Sequence, residues 1–353
     1  MALSLFVVIP FSSSFVAVPL ALLLGWAPTP VPAMQLGPPH RSLAQLSDEE
    51  LSRLATSDLA ALGSLSLGSP DNGRLLNGVR PPESGLFELV TKDHAYGTAE
   101  TIASLTKAIR AVQAAHPHTP PLFVGHISNP GGGYLKPHLS HQSGRDADIG
   151  YFYHGAHTWY RRATWKSLDV ERTWTLVRAL LTETDVEFIF IDFSIQALLK
   201  RHAQSLGEDP RWLSRVFRGD AERPAIIRHA PGHATHIHVR FFNPLAQTNA
   251  QRAYRVLLSH QLVQPVVVYL HHRVRKGETL GRLARRYGTT VRAIQQANGL
   301  RSTNIQAKRV YKIPRQGDPA PSQDELRFPP RVLPPPKEQV KNQSLSAGAG
   351  QSD

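Results

Sequence analysis

Two stretches decide how this chain folds and where its chemistry sits: KPHLSHQSGRDADI at residues 136–149 and RHAPGHATHIHVRF at residues 228–241. In the first, His141 and Asp148 are seven positions apart, too far for neighbouring helix turns. Ser143 and Gly144 between them favour a loop on which both side chains converge. In the second, His236 to Phe241 alternates polar and apolar, the period of a half-buried strand. That period sends Ile237, Val239 and Phe241 into the core and leaves His236 and His238 together on the opposite, cleft-facing side. The chain has no cysteine, so neither a thiol nucleophile nor a disulfide framework is available, and a metal site must use nitrogen and oxygen. Two imidazoles and one carboxylate are a catalytic set for zinc: three protein ligands leave a fourth position for water, whereas structural sites close with four.

Clustering separates these histidines from the rest of the 17 in the chain. His40, His94, His116, His118, His202 and His260 read as solvated or hydrogen-bonded structural residues. His233, His236 and His238 crowd into one short segment, and His138 and His141 stand near acidic residues. Asp146 either shares the role of Asp148 or orients a ligand from behind it. Arg145 either binds a substrate carboxylate or faces solvent.

HLSHQSGRDAD followed by GHATHIHVR closely resembles the penicillin-insensitive murein endopeptidases, within the zinc peptidases that include D-Ala-D-Ala carboxypeptidases and lysostaphin-type enzymes. SLSLGSPDNGRLLNGVRPP and LFVGHISNPGGG upstream extend the resemblance over roughly residues 64–243. The resemblance implies His141, Asp148 and His238 as zinc ligands and His236 as general base. It puts His138 and His233 beside the metal, where they hold substrate or stabilise the transition state. By the same resemblance the favoured bond is D-alanyl to meso-diaminopimelate in the peptide cross-links of peptidoglycan.

Working outward, Ser47 and Glu50 have capping-box form and predict a short helix. Residues 64–83, rich in Gly, Ser, Asn and Pro, predict an ordered surface loop. Ile102, Leu105, Ile109 and Val112 form a helical stripe over 101–115. Strands are expected at 120–125, 148–153 and 186–191, and helices at 169–181 and 193–205. NPGGG at 129–133 reads as a turn at the cleft edge; no helix pattern follows it, which disfavours a phosphate cradle. The aromatic and basic segment 154–167, with His157, Trp159, Tyr160, Arg161, Arg162 and Trp165, either lines a substrate groove or is a surface loop pinned by its rings. This mixed order predicts an α+β fold with the zinc on an antiparallel sheet.

From about residue 269 a new pattern begins, HHRVRKGETLGRLARRYGTTVRAIQQANGLRSTNIQAKRVYKIP, which resembles a LysM module of strand-helix-helix-strand order. Leu280, Leu283, Ala284 and Tyr287, then Val291, Ile294 and Ala297, follow helical spacing. The resemblance implies binding to N-acetylglucosamine-containing glycan such as peptidoglycan. Ala307 and Lys308 stand where a glycine turn is common. Charge concentrates here: residues 271–315 hold twelve Lys and Arg against one acid, Glu278, out of a net +13 for the chain. The remainder is near neutral, which argues against a nucleic-acid binder and for a local polyanion contact.

Residues 1–33 are nearly uncharged and apolar and end at Val31, Pro32 and Ala33, the pattern of a secretory signal, although no Lys or Arg precedes the apolar run. No other stretch is long and apolar enough to span a bilayer, so no stable membrane span is expected after signal removal. The expected order is signal (1–33), linker and short helix (34–63), zinc endopeptidase domain (64–250), LysM domain (268–315) and disordered Pro-rich tail (316–353). The expected protein is a periplasmic or secreted zinc murein endopeptidase. Its rivals are a D-Ala-D-Ala carboxypeptidase or dipeptidase of the same zinc group, and a non-catalytic peptidoglycan-binding protein.

Overall fold

A computed structural model of the 353-residue chain describes residues 41–155, 158–265, 268–315 and 326–336. Residues 1–33, expected to be a secretory signal, and His40, His157 and most of the tail lie outside the described residues. In chain order the elements are α1 (Asp48–Ser57), β1 (Leu65–Ser69), β2 (Asn72–Leu76), β3 (Phe87–Leu89), α2 (Ala99–Ala115), β4 (Leu122–Val124), β5 (Asp146–Ile149), α3 (Val170–Glu183), β6 (Val186–Phe190), α4 (Phe193–Ser205), α5 (Pro210–Arg218), β7 (Ile227–Arg228), β8 (Ile237–Phe241), α6 (Pro244–Ser259), β9 (Val268–Arg273), α7 (Leu280–Arg286), α8 (Val291–Ala297) and β10 (Val310–Arg315).

A six-stranded sheet of order β3-β4-β5-β8-β6-β7 organises the larger region. Its three central pairings are antiparallel and its two outer ones parallel, so the fold is α+β as expected. One face is apolar: Ala147, Ile149, Ile189, Ile237 and Val239 are buried in one cluster with Ile102, Leu105 and Ile109 of α2 and Val177 and Leu180 of α3. Burial of such a face drives folding at about 25 cal/mol per Å². Because strand side chains alternate, the same residues that bury the apolar face push Asp146, Asp148, His238 and Arg240 onto the other.

Several expectations are corrected. Residues 65–76 are a β-hairpin, not a surface loop; Leu65, Leu67 and Leu75 are buried and outweigh the loop-like composition. The strand expected at 148–153 ends at Ile149, after which Tyr153 makes only an isolated bridge to Leu168. Helix α5, capped by Asp209 with Pro210 in its first turn, went unread although both signals are present. Leu43, Leu51 and Leu62 join Leu65, Leu67 and Ala250, Ala253, Tyr254 and Leu257 of α6 in a second core, which packs the short helix expected after Ser47 against α6. The capping box on α1 is present as read, with Ser47 accepting from Glu50 N and Glu50 from Ser47 N.

Strands β9 and β10 pair antiparallel, and α7 and α8 between them close a small core of Val274, Leu280, Leu283, Ile294, Tyr311 and Ile313. Lys308 takes φ +70°, the left-handed conformation a glycine would supply, and its N–H donates to Val274 O at 2.7 Å, so the turn keeps its shape without glycine. The tail is also corrected in part. Residues 326–336 lie against α5 and the α3–β6 turn, where Trp212 Nε1 donates to Val332 O at 2.8 Å and Arg331 pairs with Asp185 at 2.8 Å. Apolar residues were too few there for core spacing, but one valine and a carbonyl opposite Trp212 suffice to seat an extended strap. Among the described residues no helix is long and apolar enough to cross a membrane.

Candidate metal centre

The register of β5 against β8 sets the site. Asp148 lies directly opposite His238, and Asp146 opposite Arg240, so one cross-strand pair supplies candidate ligands and the next an ion pair. His141 arrives from the loop before β5 with φ +67°, and its N–H donates to Asp146 Oδ2 at 3.0 Å. Its Nδ1 faces Ile127 O at 3.0 Å and must donate there, which leaves Nε2 free.

Three atoms then form a nearly equilateral triangle. His141 Nε2 is 3.1 Å from His238 Nδ1, which is 3.0 Å from Asp148 Oδ1, and the third side is 3.3 Å. Tetrahedral zinc with bonds of about 2.0–2.1 Å has ligand atoms roughly 3.3 Å apart, so this donor set fits the metal in both chemistry and spacing. His238 Nε2 points away from the triangle toward Asp146 Oδ1 at 3.5 Å. Burial acts to lower the His238 pKa, but the two aspartates outweigh it and raise it to about 9. A cation entering the triangle competes with that proton.

Asp146 thus stands behind His238, outside the triangle of converging atoms. Its Oδ1 accepts from Arg240 Nε at 2.6 Å and its Oδ2 from Arg240 Nη2 at 3.0 Å and from His141 N. Burial would raise its carboxyl, yet His238 and Arg240 hold it well below the usual carboxylate range. Asp148 is likewise held low against burial, by His141 and His238.

The other sequence candidates surround the triangle. His236 Nε2 lies 3.7 Å from Asp148 Oδ1, and its Nδ1 is 3.0 Å from Thr235 Oγ1. His138 Nδ1 is 3.7 Å from Asp148 Oδ2. His233 packs on His236 with ring centroids 4.8 Å apart. Burial lowers the pKa of all three, to about 4 for His236 and His138, so each is a neutral imidazole at neutral pH.

Sequence reasoning missed His126. Its Nδ1 is 2.7 Å from His138 Nε2, while His138 turns its other nitrogen to Asp148. The trio His126, His138 and Asp148 could be taken for a second ligand set. His138 turns different nitrogens to its two neighbours, so no single atom of it faces both; His126 and His138 are hydrogen-bonded to each other, and Asp148 stands 3.7 Å beyond. The available signal was position: His126 precedes Ile127, whose carbonyl fixes His141, and follows the strand β4.

Arg145 neither faces solvent nor reaches a cleft. It is buried, with Nη1 donating to Phe241 O at 3.3 Å and Phe242 O at 3.4 Å. NPGGG packs backbone to backbone against its neighbours: Gly133 N donates to Gln142 O at 2.9 Å, and a Cβ on Gly132, at φ +68°, would stand 2.3 Å from that same oxygen. Of segment 154–167, Trp159 and Tyr160 reach the site, with ring centroids 6.4 and 5.5 Å from His236, whereas Trp165 is 72% exposed.

The sequence pattern of the penicillin-insensitive murein endopeptidases matches residues 66–257, and that of the LysM domain matches residues 272–314. A curated relative from Haemophilus influenzae, named penicillin-insensitive murein endopeptidase, is 28% identical over 206 residues, which cover 50% of this chain and 63% of the relative. The match thus spans less than two thirds of that relative's length.

Proposed function

Since this chain belongs to the penicillin-insensitive murein endopeptidase family and carries a C-terminal LysM domain, we propose that it is an exported zinc peptidase that cuts D-alanyl to meso-diaminopimelate cross-links of peptidoglycan. The observation that carries the reading is the triangle of His141 Nε2, Asp148 Oδ1 and His238 Nδ1, with sides of 3.0 to 3.3 Å. Zinc held by these three atoms would supply a Lewis acid for the scissile carbonyl and bring the pKa of a water near 7.

The chain's own groups do the rest. His236, neutral and facing Asp148, accepts the proton of the attacking water and returns it to the leaving amine. His233 or His138, both beside the triangle, would stabilise the oxyanion that develops on the carbonyl. Ile127 O holds the His141 imidazole in the tautomer that leaves Nε2 for the metal, and Asp146 Oδ1, 3.5 Å from His238 Nε2, is the counter-charge on the far side of that imidazole. The LysM domain holds the enzyme on its insoluble substrate through glycan contacts, aided by its surplus of basic residues.

The test is digestion of cross-linked muropeptide dimers and of whole sacculi, read by mass spectrometry with and without a chelator. Monomers lacking the D-alanyl to diaminopimelate bond, lost with chelator and restored by zinc, support the proposal. Release of terminal D-alanine alone would assign the carboxypeptidase rival. Sacculus binding with no cleavage under any metal would leave a wall-binding protein.

A further inference from the structure

We infer that Tyr160 is a positioning residue of this reaction, the ring that keeps the His236 imidazole in its working orientation; the inference rests on the reading of His236 as general base. The Tyr160 and His236 rings are stacked, 5.5 Å apart at 16°. Trp159, at 6.4 Å and 47°, and His233, at 4.8 Å and 38°, complete the packing around the imidazole. His236 is only 9% exposed, whereas Tyr160 is 59% exposed. A single exposed ring therefore separates His236 from solvent on the stacked side.

The backbone of Tyr160 indicates that the ring is what the position is for. Its φ is +60°, in the left-handed region that side chains with a Cβ rarely adopt and that glycine or asparagine takes with least strain. An aromatic residue gains nothing from that conformation locally. Such outliers persist only where surrounding contacts hold them, and they concentrate at functional sites.

The holding contacts are present on both sides. Ala163 N donates to Ala234 O at 2.7 Å, which ties the segment to the loop carrying His233, Thr235 and His236. Tyr153 OH donates to Arg161 O. Trp159 is seated over Gly125, where an added Cβ would meet its indole at 2.4 Å, and Gly125 N in turn bonds Asp148 O at 2.8 Å. The segment is thus pinned to β4, to the backbone of Asp148 and to the loop entering β8, which fixes where the Tyr160 ring must lie.

Stacking restrains the imidazole against rotation about its Cβ–Cγ bond, so that Nε2 stays turned toward Asp148. Hydrogen bonding alone leaves more freedom, because the Thr235 hydroxyl that meets His236 Nδ1 belongs to the adjacent residue. Loss of the ring should therefore slow the proton transfers without weakening substrate capture.

Tyr160→Phe and Tyr160→Asn separate the possibilities. Asparagine relieves the backbone strain, so its variant is expected to melt no lower than wild type. We expect Tyr160→Asn to bind one zinc and keep its KM within about twofold while kcat falls roughly 10- to 100-fold, the order of loss from a small misplacement of a reacting group. Tyr160→Phe should restore kcat to within about twofold of wild type, since the ring and not the hydroxyl acts. A phenylalanine variant as slow as the asparagine variant would overturn the inference in favour of a hydroxyl contact to substrate. Unchanged kcat in Tyr160→Asn, or a rise in KM alone, would also overturn it. An independent readout is the NMR shift of the His236 ring protons, displaced by the Tyr160 ring current in wild type and Tyr160→Phe and relaxed in Tyr160→Asn. Wild type that cleaves no muropeptide would sink the proposed function, and the ring-current result would still decide whether Tyr160 restrains His236.

Discussion

Asp146→Asn tests how the site is held together. The carboxylate it neutralises is fully buried and accepts two hydrogen bonds from Arg240 and one from His141 N, with His238 Nε2 at 3.5 Å. Removing one partner of a buried ion pair costs about 3–5 kcal/mol, because the other charge is left uncompensated. Asparagine keeps the shape and one acceptor, so the loss is expected at the lower end, about 3 kcal/mol. Zinc should suffer separately. A carboxylate behind a metal-bound histidine is worth about 10- to 100-fold in affinity, or roughly 1.4–2.7 kcal/mol. Competition against a chromophoric chelator measures the affinity, and urea unfolding in excess chelator measures stability without metal. Arg240→Met, alone and combined with Asp146→Asn, closes a double-mutant cycle in which the combined loss should be smaller than the two single losses added. Wild-type zinc affinity in Asp146→Asn, or strict additivity with Arg240→Met, would refute the role given to this carboxylate.

Three further outcomes are expected. His236→Ala should keep one zinc per chain but lose about 100- to 10,000-fold in turnover on muropeptide dimers; near-normal turnover of the zinc-loaded variant removes His236 from the mechanism. Deleting residues 268–315 should weaken pelleting with sacculi and slow their digestion while leaving soluble muropeptide cleavage nearly unchanged. Added salt should weaken sacculus binding of the whole chain more than of the shortened one, since screening acts over about 10 Å at 0.1 M; equal pelleting at every salt concentration would deny the module its role. Glu278, the lone acid of the basic module, accepts from Arg275 N, His272 Nε2 and Arg286 Nη1, which hold its pKa at about 2 against an ordinary 4.5. Its folded pKa is the lower one, so the stability it contributes is complete above pH 4.5 and is lost as pH falls toward 2. Protection factors of the amides across 268–315, corrected for the intrinsic exchange rate, should fall over that window, and in Glu278→Gln they should already be reduced at neutral pH.

Much of this was legible in one dimension. The period-two run from His236 to Phe241 assigned a strand and its buried face from residue type alone, because alternation is a property of the extended backbone. Helices at 99–115 and 193–205 were visible for the same kind of reason, a 3.6-residue stripe. The expected zinc ligands came from residue chemistry joined to resemblance. What the sequence left open were the choices made by pairing. Asp146 and Asp148 are two residues apart on one strand face, and no local rule says which of them meets the imidazoles. The β5–β8 register decides it, setting Asp148 against His238 and Asp146 against Arg240. Register likewise buries Arg145 under the carbonyls of residues 241 and 242, where a reading of the loop offered only solvent or substrate. The hairpin at 65–76 was hidden because its strands are stabilised by α6, nearly two hundred residues away in the chain. His126 and Tyr160 carry no motif of their own and acquire meaning from what the fold sets beside them, a second imidazole at 2.7 Å for one and the ring of His236 for the other. Residue types and local periodicity determined the elements and the donor chemistry. Long-range pairing, whose energy depends on partners distant in the chain, determined which donors converge and what holds them.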